Sequence, residues 1–88
     1  MPYHTGLWTV LVQRHDQKTG HDHELTKINN FGTAKKPVIH KVPKENNITI
    51  TTFEQFGGKP KVQVTADPPQ HYFIIFDEDF TLCRVIFV

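Results

Sequence analysis

Apolar positions alternate near the start of the chain, alternate again in its middle, and run together toward its end. Leu7 to Gln13 (LWTVLVQ) is rich in β-branched and aromatic side chains, and Trp8, Val10 and Val12 fall on one face of an extended segment. From Arg14 to Glu24 the pattern turns polar, which predicts a loop or a wide hairpin connection punctuated by Gly20. Leu25 to Ile28 reads either way, and Asn29-Asn30-Phe31-Gly32 is a turn signal. Val38, Ile39 and Val42 lie in a short strand fenced by Pro37 and Pro43. Proline supplies no ladder donor, so this strand belongs at a sheet edge.

Asn47 to Thr52 (NITITT) alternates with Ile48 and Ile50 inward, and Lys61 to Thr65 does so with Val62 and Val64 inward. The link between them, Thr52 to Gly58, admits a single helical turn or a glycine hairpin tip. A two-residue loop would put the two isoleucines and the two valines on opposite faces. The pattern therefore favours a helical turn or a longer, bulged loop.

The end of the chain carries the strongest signal. Tyr72 to Phe76 (YFIIF) and Thr81 to Val88 (TLCRVIFV) flank the acidic turn Asp77-Glu78-Asp79, which predicts a β-hairpin. Taken as a three-residue turn, it sets Phe73, Ile75, Val85 and Phe87 on one face and Tyr72, Ile74, Phe76, Leu82, Ile86 and Val88 on the other. Strands apolar on both faces suit the middle of a structure. The predicted fold is one all-β domain over residues 1–88: a small β-sandwich or partly open β-barrel of about five to seven strands. The C-terminal β-hairpin stands at its centre, with at most one short helical turn.

Composition narrows the function. With 88 residues, one core is affordable and no second one. Net charge is +1, too small for the whole-molecule field to steer nucleic acid or a membrane. The first twenty residues carry no basic segment followed by a long apolar run. The expected location is the cytoplasm, or a host cytoplasm for a viral chain, without a membrane partner. Serine is absent, and no phosphate-loop, dinucleotide, H-E-x-x-H or C-x-x-C pattern occurs. Cys83 sits between Leu82 and Arg84 in an apolar strand, where a thiol is inert and where neighbours point to opposite faces. No enzyme is expected.

Four features are candidates for chemistry. His15, His21, His23 and Glu24 form a histidine-rich stretch, and in an extended segment His21 and His23 point to one side. With His15 or a carboxylate added, such a set could hold zinc or another divalent transition metal; the alternative is a solvated polar loop, with no cofactor. Lys35, Lys36, Lys41, Lys44, Lys59 and Lys61 against Glu45 and Glu54 give residues 35–61 a balance of +4. Residues 62–88, with Arg84 against Asp67, Asp77, Glu78 and Asp79, stand at −3. A lysine-rich β surface can hold single-stranded nucleic acid, or it can simply guard an edge strand.

The apolar surplus of the C-terminal hairpin calls either for burial within the chain or for a partner, another protein or a second copy. Finally, Asp67, Pro68, Pro69, Gln70 and His71, with Lys59 and Lys61 before them, make a stiff connector of the kind that loses little entropy on binding. The expected function is a non-enzymatic domain that binds another protein as an inhibitor, modulator or assembly subunit. A metal-binding protein and a single-stranded nucleic-acid binder are the alternatives.

Overall fold

The computed structural model describes residues 9–29 and 31–88. Its elements are β1 (Thr9–His15), β2 (Asp22–Ile28), β3 (Gly32–Thr33), β4 (Val38–Lys41), β5 (Ile48–Glu54), a 3₁₀ turn (Phe56–Gly58), β6 (Pro60–Ala66), β7 (Tyr72–Phe76) and β8 (Leu82–Phe87). The all-β expectation holds. Leu7 and Trp8, expected at the start of the first strand, lie outside the described residues, as does Asn30 of the turn signal.

Two sheets form. The first has the order β2-β1-β8-β7, and its central pair, β1 and β8, runs parallel. In the second, β5 is central, with β6 on one side and β4 and β3 sharing the other. Alternation decides what each sheet turns inward. Val10, Val12, Cys83, Val85 and Phe87 from the first sheet meet Val42, Ile48 and Ile50 from the second in one buried cluster. Thr52 is also fully buried, and the His40 ring lies 3.3 Å from its hydroxyl.

Among the described residues the strand count of eight exceeds the five to seven expected for two reasons. Gly32, expected as part of a turn, pairs with β5 as part of β3, and the polar stretch after Arg14 closes early into β2. The Asp16 N–H donates to the His21 carbonyl to close the β1–β2 hairpin, and Asp22 to Ile28 continue as an edge strand. An edge strand buries only one face, so Asp22, His23, Glu24 and Lys27 are tolerated within it. The Thr52–Gly58 link does form a short helical turn. Gly57 and Gly58 hold φ of 82° and 77°, a region open to glycine, and the five-residue connection sets Ile50 opposite Val64 with Ile48 opposite Ala66.

The C-terminal hairpin departs from expectation in two respects. Only β8 is central; β7 is an edge strand. The face assignment is also corrected. The turn runs to Thr81, with the Asp77 N–H donating to the Leu82 carbonyl, so four residues separate the closing pair and odd positions face even ones. Tyr72, Ile74 and Phe76 therefore share the inner face with Phe87, Val85 and Cys83, and Phe73 and Ile75 share the outer face with Ile86 and Arg84. Phe80, at φ 59°, closes this turn while its ring packs 5.6 Å from that of Phe76.

Cys83 is 1% exposed, and burial pushes its thiol from the ordinary 9.0 up to about 12. At pH 8 it is expected to resist a maleimide for as long as the fold persists, and to react within minutes in denaturant. Because the folded-state value is the raised one, stability is unaffected by this group below about pH 9 and declines between about pH 9 and 12. Rapid labelling of the native protein would contradict the burial.

Candidate functional site

The outer edge of β7 differs from the other sheet edges in what it presents. Edge β2 carries Asp22, His23, Glu24 and Lys27. Edge β6 starts at Pro60 and carries Lys61, and β4 is four residues long between Pro37 and Pro43. Each of these is guarded by charge, proline or brevity. β7 is Tyr-Phe-Ile-Ile-Phe with no charge and no proline, and its side chains remain open: Phe73 is 61% exposed and Ile75 45%. Among the described residues, no strand pairs with its outer edge.

Which backbone groups are free there follows from the hairpin closure. The Asp77 N–H donates to the Leu82 carbonyl, and the Val88 N–H to the His71 carbonyl. Odd residues from 71 to 77 thus address β8, and the N–H and C=O groups of Tyr72, Ile74 and Phe76 point out of the sheet.

Beside this edge, the outer face of the first sheet holds a polar network. Arg84 of β8 donates through Nε to Gln13 Oε1 at 2.9 Å and through Nη2 to Asp22 Oδ2 at 3.0 Å. His15 Nδ1 lies 2.7 Å from the other Asp22 oxygen. A β-bulge creates this meeting. The β1–β2 register slips between Val12 and Gln13, leaving Leu25 without an opposite residue and setting Asp22 across from His15. A groove of about 280 Å³ runs from His15 and Asp22 over Ile86 to Phe73 and Val88, so network and apolar edge form one continuous surface. The sequence reading missed this network. Its signal was Arg84 inside an otherwise apolar strand, which needs polar partners on its own face.

The same bulge divides the histidine set. In an unbulged ladder His15 would oppose His23. Here His15 turns outward with Asp22, and His23, opposite Arg14, turns the other way, where its Nε2 lies 3.5 Å from Asp16 Oδ2. Asp16 also accepts the Lys18 backbone N–H at 2.8 Å, which, with the His23 contact, holds its carboxyl below the usual range. His21 and Glu24 are exposed. Among the described residues, no group of three or more His, Cys, Asp or Glu side chains is placed to hold a metal ion.

The connector is separated from its lysines. Lys59 and Lys61 stand at one end of β6 and Asp67 at the other, roughly 20 Å away at strand rise. Asp67 to His71 are pinned: the Asp67 N–H donates to the Asn47 carbonyl, and Gln70 accepts from Arg14 at 3.0 Å. Arg14 also pairs with Glu45 at 2.9 Å and lies 5.5 Å from the centre of the Phe87 ring, so it ties β1 to the connector and to the β4–β5 turn. Gln70 and His71 lead directly into β7. The lysines of residues 35–61 are all exposed but stand at opposite ends of the second sheet. Lys35, Lys36, Lys59 and Lys61 lie near the Glu54 end of β5, and Lys41 and Lys44 near the Ile48 end.

No known family, curated protein or solved structure matches this chain. Among the described residues, no helix is long and apolar enough to cross a membrane.

Proposed function

We infer that this chain is a non-enzymatic protein-binding domain whose contact element is the β7 edge and the outer face beside it. The observation that carries the reading is an uncharged, proline-free edge strand of five apolar residues where, among the described residues, the edges at β2, β4 and β6 are guarded. A partner strand laid along β7 would gain main-chain bonds from Tyr72, Ile74 and Phe76. Phe73 and Ile75 would supply the apolar contact, and the Arg84–Asp22–Gln13 network a polar rim. The connector from Asp67 to His71 supports the same surface by fixing where β7 begins.

The test is affinity capture from native cell extract with the wild-type chain and with Phe73→Lys/Ile75→Lys, which alters only exposed outer-face side chains. Reproducible recovery of a protein by the wild type, reduced at least about tenfold by the double variant, is the expected result. Recovery of nothing, or equal recovery by both chains, would refute the reading.

A further inference from the structure

We propose that the occupant of the β7 edge is a second copy of this chain, paired antiparallel through β7 about a twofold axis at Ile74. This rests on the reading of β7 as the contact strand and names its partner.

The strand is close to a palindrome. Under a twofold at Ile74, Tyr72 faces Phe76 of the second copy, Phe73 faces Ile75, and Ile74 faces itself. Every residue of β7 meets an apolar one. The backbone agrees with this register. In an antiparallel ladder the residues that exchange bonds must be those whose N–H and C=O point outward, and these are Tyr72, Ile74 and Phe76. The axis pairs even positions with even positions, so all three bond to their counterparts. Phe73 and Ile75 then occupy the closer, non-bonded pairs on the outer face.

The polar residues flanking the strand select the same register. One step beyond the strand, His71 stands opposite Asp77 of the second copy, at both ends of the interface. Sliding the pairing by two residues in one direction sets Tyr72 against Glu78 and Phe73 against Asp77. Sliding it the other way sets Phe76 against Gln70 and Asp77 against Pro69. Pro68-Pro69 on one side and Asp77 to Asp79 on the other keep the pairing from extending. The closed twofold joins two four-stranded sheets and leaves β2, with its charges, as the outer edge on both sides.

Sedimentation equilibrium and light scattering at roughly 300 µM, where a small edge-to-edge interface is populated, read the mass directly. The wild type is expected at twice its 10.2 kDa chain mass. The amides of Tyr72, Ile74 and Phe76 are expected to gain hydrogen-exchange protection with concentration, and those of Phe73 and Ile75 are protected throughout. Ile74→Pro removes an outward N–H and leaves the β7–β8 ladder intact, so it is expected to fold and to remain monomeric.

Asp77→Lys alone and His71→Asp alone each set like or near-like charges face to face, and each should raise the dissociation constant roughly 3- to 10-fold. Together they set an opposite-charge pair in place of the His71–Asp77 contact and return the dissociation constant to within about twofold of wild type. A wild-type monomer at this concentration, or a dimer untouched by Ile74→Pro, overturns the proposal. If such a monomer still captures a foreign protein that Ile74→Pro loses, the contact reading stands without self-pairing; if it does not, both fall.

Discussion

Phe87→Ala is expected to cost about 3–5 kcal/mol, a large share of the roughly 5–10 kcal/mol available to a domain of this size. Phe87 is the bulkiest fully buried side chain among the described residues, and β7 and β1 both bring a side chain against it. The Tyr72 ring packs against it at a tilt of 54°, 5.8 Å between ring centres, and the Arg14 guanidinium lies over its face. Truncation would remove the apolar surface and leave a cavity between the sheets. It would also take away the ring that positions Arg14 for Glu45 and Gln70. Phe87→Leu, which keeps most of the volume, should lose only about 1–2 kcal/mol. Urea denaturation followed by far-ultraviolet circular dichroism measures both. A loss under about 1 kcal/mol for the alanine variant would mean that β8 does not lie at the centre of the first sheet.

The second large effect is expected at Gly32, and its cause is space rather than backbone conformation. A Cβ built there would lie 2.6 Å from the Val38 nitrogen and 2.9 Å from the Pro37 carbonyl carbon, with the Lys36 carbonyl oxygen nearer still. All three are backbone atoms of one tight turn, which the Thr33 N–H closes onto the Lys36 carbonyl and the Thr33 hydroxyl braces at the Lys36 N–H. The turn must open to admit a methyl group. Gly32→Ala should therefore cost about 2–3 kcal/mol and speed amide exchange in β4.

Gly20 is the comparison. Its φ of +78° strains any other residue, but nothing lies within 4 Å of a Cβ there, so Gly20→Ala should cost only about 1 kcal/mol. Thermal midpoints order the two: at about 4–8 °C per kcal/mol for a domain of this length, the Gly32 variant should melt well below the Gly20 variant. The reverse order would mean that the close approach of the β3 and β4 backbones is absent.

Local pattern made much of the fold legible. The alternation in Asn47 to Thr52 and Lys61 to Thr65 placed Ile48, Ile50, Val62 and Val64 on the faces they occupy, and the proline fence around residues 38–42 identified an edge. The parity of the Thr52–Gly58 link was legible because both inward sets are unambiguous, so only an odd-length connection joins them.

The faces of the C-terminal hairpin were not legible in the same way, because both of its strands are apolar on both faces. Nothing in YFIIF or TLCRVIFV says which side is inside. A turn closed by Asp77 and Leu82, rather than by the three acidic residues alone, then reverses every side chain of one strand relative to the other.

The candidate site was legible in part. The apolar surplus of the hairpin pointed to a surface in need of cover, and Gln70 and His71 were already singled out next to it. The Arg84–Asp22–His15–Gln13 network was not legible, because it joins residues up to 71 positions apart and depends on one bulged residue, Leu25. The bulge also undid the histidine set, since shifting the ladder by one residue turns Asp22 toward His15 and His23 away from it.

By itself the sequence determined that this chain is built of short strands, where most of them lie, and which way the alternating ones face. Those are properties of neighbouring residues, set by side chains that point to opposite sides at every step. Only the tertiary structure decided that β1 lies parallel to β8, that β7 is left at an edge, and that a bulge aims Asp22 at Arg84. Pairing between distant segments is chosen by the energy of the whole core, and no local pattern records it.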